Sequence, residues 1–183
     1  EMRKLAKIVR LAVLTQQPII LRHHADADGI CAAVSVETAV LQYIRDNGGD
    51  PDHDNFLFRR SPSKAPFYEI EDVTRDLDMM LKDDVRFGQK LPLILLMDNG
   101  STEEDMPSYK MTEVYQLDVV VADHHHPDET IDKYLLAHVN PYHVGGDFGV
   151  TAGMLGTEIA RLINPSVESR ILHFPSVAGV ADR

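Results

Sequence analysis

The stretch LPLILLMDNG, residues 91–100, is apolar until its last three residues. A strand with apolar side chains on both faces is typical of a parallel sheet that is covered on both sides. Two other apolar runs predict strands of the same kind, PIILRHH at 18–24 and LDVVVADHHHP at 117–127. Each of the three runs contains or ends in Asp or His, so the strands that predict the fold also carry potential metal ligands.

The segments between these strands have the spacing of amphipathic helices. Helices are predicted at 2–15, at 30–49 with an end at Gly48 and Gly49, at roughly 73–86 after a proline-rich loop, at 147–163 and after Asn164-Pro165. A helix or loop is predicted at 102–115, and further strands are predicted at 55–60 and 135–142.

This alternation of strands and helices predicts an α/β fold with a mainly parallel sheet flanked by helices on both faces. At 183 residues the chain is the size of one domain and can bury a sizeable core. Because it begins at Glu1 rather than Met and stops at Arg183 directly after VAGVAD, we expect a fragment of a longer protein.

Composition excludes several classes of protein. The hydrophobic fraction of 44% and the charged fraction of 26% are those of a globular protein. No apolar run approaches the roughly 20 residues that span a bilayer, so we expect no membrane partner and a cytoplasmic location. The single cysteine, Cys31, excludes an internal disulfide and a cysteine-based zinc site. The net charge of −11 argues against broad adhesion to nucleic acid, so any such binding requires a local basic groove or a further domain.

Polar side chains follow the three apolar strands, at the point where each strand ends. In a parallel sheet the carboxyl ends of all strands lie along one edge, where ligands bind. Carboxylates mixed with imidazoles suit Mn²⁺ or Mg²⁺, and one bridging carboxylate can hold two ions about 3.5–4 Å apart. The residues expected to converge there are His24, Asp26, Asp28, Asp98, Asp123, His124 and His125.

Each motif taken alone has a simpler interpretation. The triplet at 123–125 alone is typical of a solvated loop, and the sequence MDNG at 97–100 alone is a strand followed by a turn. The presence of all three motifs at the ends of apolar strands favours the metal site.

These motifs resemble those of the DHH family of phosphoesterases, named for the triplet that here is Asp123-His124-His125. The first family motif corresponds to HADADG at 24–29, the second to Asp98, the third to VADHHHP and the fourth to Asp182 in VAGVADR. The resemblance covers nearly the whole chain. It implies a Rossmann-like DHH catalytic domain over 1–183 that lacks the family's C-terminal substrate-binding domain.

Within the family, the chain is most similar to archaeal RecJ-like proteins, whose first motif has the same short His-x-Asp spacing. Other branches place a histidine where this chain has Arg22, and His23 therefore stands as an alternative ligand to His24.

The resemblance implies two divalent cations, Mn²⁺ or Mg²⁺, and a role for each motif residue. Asp123 would orient a histidine, and His125 would face the scissile phosphate as a hydrogen-bond donor or proton carrier. A water between the ions would attack phosphorus in line. One ion would be held by His24, Asp26 and Asp98, and the other by Asp28, Asp98, His124 and Asp182, with Asp98 bridging.

Two further segments are candidates for substrate contact. Arg59 and Arg60 lie in FRRSPSK, a concentrated basic patch that fits either phosphate contact or a solvated loop. Gly145 and Gly146 lie in HVGGDFG, which fits either a phosphate-binding loop or a helix-entry turn capped by Asp147. No role is predicted for the histidines outside the motifs.

Three functions remain open at this point. The first is a two-metal, RecJ-like exonuclease on single-stranded nucleic acid, with partners in replication or DNA repair. The second is hydrolysis of a small phosphate compound, such as a short oligonucleotide, a cyclic dinucleotide or pyrophosphate. The third is a catalytically silent replication scaffold, against which the intact ligand set argues.

Overall fold

The computed structural model describes residues 1–47 and 56–182, and the strands in these residues form one parallel sheet. This confirms the predicted α/β fold. Its five described strands lie in the order β2-β1-β3-β4-β5. They are β1 (Ile19–His24), β2 (Phe58–Ser63), β3 (Leu93–Met97), β4 (Asp118–Ala122) and β5 (Ala137–Val139).

Helices cover both faces of the sheet, because successive apolar side chains of the central strands point to opposite faces. The helices are α1 (Met2–Leu14), α2 (Ala27–Asp46), α3 (Ile70–Phe87), α4 (Met106–Val114), α5 (Ala152–Ile163), α6 (Glu168–Ile171) and α7 (Phe174–Ala181). On β3, Leu93 and Leu95 belong to one buried cluster with residues of α1, α2 and α5, whereas Ile94 and Leu96 belong to another with residues of α3 and α4. No helix in the described ranges combines the length and the apolar composition needed to cross a membrane.

The register of the sheet brings the ends of the central strands level. Met97, the last residue of β3, pairs with His23 of β1 on one side and with Ala122 of β4 on the other. Strand β2 lies on one side of β1, and the next strand in the chain, β3, lies on the other side. The strand order therefore reverses between β1 and β3, and ligands bind in the crevice at such a switch point. Asp98 therefore follows β3 directly into this crevice.

Strand β2 was predicted at 55–60 but runs over Phe58–Ser63, and Asn55 lies outside the described residues. It is an edge strand, which explains how it accommodates Pro62: an edge position can lack a ladder hydrogen bond. The proline-rich segment therefore begins inside the sheet rather than as a loop.

Four helix boundaries also differ from the prediction. Helix α2 begins at Ala27 rather than at residue 30, because the Asp26 side chain caps it, and its predicted end at Gly48 and Gly49 lies outside the described residues. Helix α3 begins at Ile70 and α5 at Ala152, and the last predicted helix consists of α6 and α7, with Pro175 in the first turn of α7.

Arg22 anchors α3 to the centre of the sheet. It is 2% exposed, and its guanidinium donates to both carboxylate oxygens of Asp76 at 2.7 Å and to Asp72 at 3.0 Å. Tyr68 donates a further hydrogen bond to Asp76 at 2.9 Å. Asp76 nevertheless keeps a raised pKa, because burial outweighs these partners. Arg22 thus points to α3 and not to the crevice.

We expect Arg22→Ala to lower the free energy of unfolding by about 3–5 kcal/mol, because it leaves the buried Asp76 without its cation and Asp72 with only the exposed Arg75. Urea unfolding measures this change. The matched control is Arg75→Ala, since Arg75 pairs with the same Asp72 at 3.6 Å but has a side chain that is 57% exposed. Arg75→Ala should lower the free energy of unfolding by less than about 1 kcal/mol. Equal losses in the two variants would contradict this account of the buried pair.

Candidate metal centre

The edge of the sheet at which the strands end collects buried ionisable side chains. Asp28, Asp98, Asp123 and His124 are each at most 5% exposed. Charges this far from water are costly unless they are paired or bind metal. Three buried carboxylates in one crevice therefore require positive partners.

Asp98 lies between two histidines. Its Oδ2 is 3.6 Å from His24 Nδ1, and its Oδ1 is 3.3 Å from His124 Nε2. Neither oxygen has a hydrogen bond of good geometry with any described residue. Burial raises the pKa of Asp98, although both histidines oppose that shift. Two orphaned carboxylate oxygens that face imidazole nitrogens just beyond hydrogen-bond length fit a site for cations.

The backbone of Asp98 is itself in an unfavourable conformation. Its φ of +59° lies in the left-handed region, which few residues other than glycine adopt. Such a residue costs on the order of 1–3 kcal/mol and persists where the surroundings fix it, often at functional sites. The turn directs the carboxylate into the crevice.

Asp26 and Gly29 shape the turn after β1. Asp26 accepts a hydrogen bond from the Gly29 backbone N–H at 2.8 Å with one oxygen and lies 3.0 Å from His24 Nδ1 with the other. A Cβ on Gly29 would lie 2.3 Å from the His24 carbonyl oxygen and 2.8 Å from Asp98 Oδ2. The structure places this glycine inside α2, where its lack of a side chain permits the close approach of β1 and Asp98.

His124 is oriented by the loop before α5. Its Nδ1 lies 2.8 Å from the carbonyl oxygen of Phe148, which can only accept, so Nδ1 carries a proton. Nε2 then faces Asp98 at 3.3 Å and Asp28 at 3.6 Å. Burial alone would lower the pKa of His124, but Asp98 and the Phe148 carbonyl raise it to about 9. The Nε2 position strongly favours a cation, either a proton or a metal ion.

Asp28 is held by the amino end of α5. Its two oxygens accept hydrogen bonds from the Ala152 and Gly153 backbone N–H groups, each at 2.7 Å. The predicted cap, Asp147, instead accepts from Gly149 N at 2.9 Å, five residues before the helix begins. That prediction was wrong because the cap comes from a residue 124 positions away in sequence, which local spacing cannot reveal.

Asp123 fixes the geometry of the triplet. Its Oδ1 accepts from the His124 backbone N–H at 2.7 Å and from His125 Nδ1 at 2.8 Å. Burial is the largest influence on the pKa of Asp123 and raises it, but the hydrogen bonds and the charge of His125 together bring that pKa below its ordinary value. The hydrogen bond to Asp123 raises the pKa of His125.

The Asn140 side chain, which sequence reasoning missed, donates to the His125 carbonyl at 2.8 Å. The available signal was its position directly after β5.

The structure brings all the predicted metal ligands together, although their roles stay predictions. In each of three trios, one ligand atom per residue lies within 4.8 Å of the others. His23 belongs to none of the trios among the described residues, since its ring contacts the His24 carbonyl and Arg60. The trios are His24, Asp26 and Asp98; Asp28, His124 and Asp182; and Asp98, His124 and His125, the last of which was not foreseen.

The candidate substrate residues lie at different distances from this centre. Arg59 pairs with Asp83 at 2.9 Å and, with Pro18 and Pro92, lines a pocket at the amino end of the strands, opposite the crevice. Arg60 pairs with Glu37 at 2.8 Å. Its guanidinium also lies 3.2 Å from His23 Nε2, beside the crevice.

The two glycines of HVGGDFG end a short 3₁₀-helix rather than begin α5. Gly145 has a φ of +78°, and the Gly146 N–H donates to the Pro141 carbonyl at 3.0 Å. The loop reaches the crevice through the Phe148 carbonyl, a contact that no side-chain motif could have indicated.

The sequence model described as the DHH family, N-terminal domain, matches residues 18–171. An uncharacterized protein of Methanocaldococcus jannaschii is 53% identical over an alignment of 188 residues. The alignment covers all of this chain but only 25% of that protein. The DHH domain of a protein described as a member of a family of ribosomal proteins has a TM-score of 0.95 at 49% identity, over 98% of this chain and 43% of that one. RecJ of Thermus thermophilus, solved with Mn²⁺, shares the fold with a TM-score of 0.69 at 16% identity, over 99% of this chain and 24% of that one.

Asp28→Ala should lower the free energy of unfolding of the metal-free protein by about 2–4 kcal/mol, since each buried N–H left unpaired costs about 1–3 kcal/mol. Urea unfolding in the presence of a chelator isolates this structural contribution from metal binding. Asp26→Ala is the matched control, because it removes a more exposed cap worth about 1 kcal/mol. If the two variants were equally stable, Asp28 would not anchor α5.

Proposed function

The chain belongs to the DHH family, and we propose that it is a divalent-metal-dependent phosphodiester hydrolase that acts on single-stranded nucleic acid as a RecJ-like exonuclease. The observation that carries the proposal is the buried Asp98 carboxylate, whose two orphaned oxygens lie between His24 and His124. The Mn²⁺ bound to the RecJ structure of the same fold supports it.

The ligand set fits Mn²⁺ or Mg²⁺. Carboxylate oxygens and imidazole nitrogens are ligands for such ions, and the single cysteine lies outside the trios of described residues. Asp98 would bridge two ions, one held with His24 and Asp26 and the other with Asp28, His124 and Asp182. When bound, such cations stabilise the charge on phosphoryl oxygens and lower the pKa of water.

His125 is the residue proposed to handle the proton. Asp123 accepts from its Nδ1 at 2.8 Å, so Nε2 is the ring nitrogen that has no partner among the described residues, and the side chain is 34% exposed at the mouth of the crevice. Asp123 also stabilises the charged imidazolium, which raises the pKa of His125. A protonated His125 can donate to a phosphate oxygen or to the leaving group.

The substrate is proposed from the relatives with which the chain shares its fold. RecJ is named as an exonuclease, and a member of a family of ribosomal proteins carries a similar DHH domain. Arg60, beside His23, is better placed than Arg59 to contact a phosphate, but it would first have to leave Glu37. The chain spans only a quarter to about two fifths of these relatives, so a further domain is proposed to complete substrate selection.

A small phosphate compound remains the second candidate substrate, because the crevice chemistry is the same for any phosphodiester. Labelled single strands and cyclic dinucleotides, each offered with Mn²⁺ to the full-length parent protein, separate the two. Processive shortening of the strands supports the exonuclease, whereas turnover of dinucleotides alone would overturn it. Turnover of neither substrate by metal-loaded protein would favour a silent scaffold.

We expect the protein to bind two Mn²⁺ ions and Asp98→Ala to bind neither, because one carboxylate faces both ligand groups. Elemental analysis after equilibrium dialysis counts the ions. Asp118→Ala is the control, since Asp118 is an exposed aspartate at the opposite end of the adjacent strand β4. Retention of one or both ions by Asp98→Ala would show that Asp98 is not the bridge.

His125→Ala should retain both ions but lose about 10²–10⁴-fold in kcat, the usual contribution of a positioned proton donor. A phosphodiester assay with metal counting on the same sample tests this. The neighbouring His126 packs its ring 5.0 Å from Tyr142 and serves as the control through His126→Ala, which should keep kcat. A normal kcat in His125→Ala would remove the catalytic role.

A further inference from the structure

A separate group of metal-ligand side chains lies beside β5. Asp132 lies in the 3₁₀-helix Glu129–Tyr134, His138 on β5 and His143 in the 3₁₀-helix Pro141–Val144. One ligand atom from each lies within 4.8 Å of the others, and the two imidazole rings meet edge to face with centroids 4.6 Å apart. This trio shares no residue with the three trios of the predicted centre among the described residues.

His138 is held in one orientation by a buried serine. Its Nε2 lies 2.9 Å from Ser101 Oγ, and Ser101 Oγ also accepts a hydrogen bond from the Asn140 side chain at 3.3 Å. Ser101 therefore fixes the Nε2 edge of the ring and turns Nδ1 toward Asp132.

The other ring nitrogen of His138 faces a carboxylate. Nδ1 lies 2.7 Å from Asp132 Oδ1. In the metal-free protein a proton between the two atoms makes this contact a hydrogen bond. A metal ion would take the place of that proton, because histidine binds metal through a deprotonated ring nitrogen.

We propose that Asp132, His138 and His143 form a second metal site, one that takes a divalent transition-metal cation of the zinc class. Two imidazoles and one carboxylate are the protein ligands of known open zinc sites, in which water or another ligand takes the fourth position. With a metal on Nδ1, His138 Nε2 would carry the proton and donate it to Ser101 Oγ, the support that metal-binding histidines typically have on their second nitrogen. The spacing of the ligands is Asp-x5-His-x4-His.

The site is open to solvent on one side. His143 is exposed and the Asp132 side chain is 49% exposed, whereas His138 is 5% exposed at the base. Glu1 and Lys4 line the same surface depression and lie 3.7 Å from one another, so the Lys4 ammonium has its own carboxylate. An ion can therefore reach the three ligands without displacing a buried segment.

Zinc binding to the folded protein tests the proposal. Wild type, Asp132→Ala and His143→Ala are titrated with Zn²⁺ by calorimetry, and bound zinc is counted after dialysis. Each variant should bind one Zn²⁺ fewer per chain, or bind that ion at least tenfold more weakly, because one of three ligands is lost. His173→Ala, which removes another exposed histidine, should bind as wild type does.

The result does not depend on the predicted centre, because each comparison is with wild type. Asp132 and His143 are exposed, so their variants should fold, and thermal unfolding with a chelator checks this. Zinc should also shift the imidazole signals of His138 and His143 in NMR spectra of the wild-type protein. The same number of ions and the same affinities in all variants, or unshifted His138 and His143 signals at saturating zinc, would overturn the proposal.

Discussion

The structure depends on a carboxylate that is buried where it has too few partners. Asp98 is 1% exposed, lies in the left-handed region at a φ of +59°, and its two oxygens have no hydrogen bond of good geometry within the described ranges. Strain and desolvation both oppose such an arrangement, by amounts that are large beside the usual net stability of a domain. Two imidazoles at 3.3 and 3.6 Å offset part of that cost, and cations would offset the remainder.

Three other carboxylates are held by backbone N–H groups, so the fold can assemble them before any metal binds. Asp26 caps α2, Asp28 caps α5, and Asp123 accepts from the triplet's own amide. The amino end of a helix carries a partial positive charge, which lessens the repulsion between neighbouring carboxylates. Helix capping, which usually serves stability alone, here also aims Asp26 and Asp28 at the crevice. Gly29 and Gly153 permit this close approach, since a Cβ on either would meet a ligand oxygen within 3.0 Å.

Sequence alone predicts the centre because its signal is topological. Strands that are apolar on both faces are typical of one covered parallel sheet. Such a sheet brings the carboxyl ends of its strands to one edge, however far apart the strands are along the chain. What sequence could not predict depends on tertiary contacts: the cap of α5 comes from Asp28, and the orientation of His124 comes from the Phe148 carbonyl. The ion pair of Arg59 could not be predicted for the same reason, because its partner Asp83 lies on another element. His138 carries no motif, and its importance emerges from the contacts with Ser101 and Asp132.

Anomalous diffraction from crystals grown with Mn²⁺ shows whether Asp98 lies between two cations. If it does, two peaks will lie about 3.5–4 Å apart, as in two-metal sites. Each peak should lie beside a different oxygen of Asp98, one toward His24 and the other toward His124. Crystals that are saturated with Mn²⁺ but show no peak beside Asp98, with its carboxylate paired to protonated histidines instead, would contradict this arrangement.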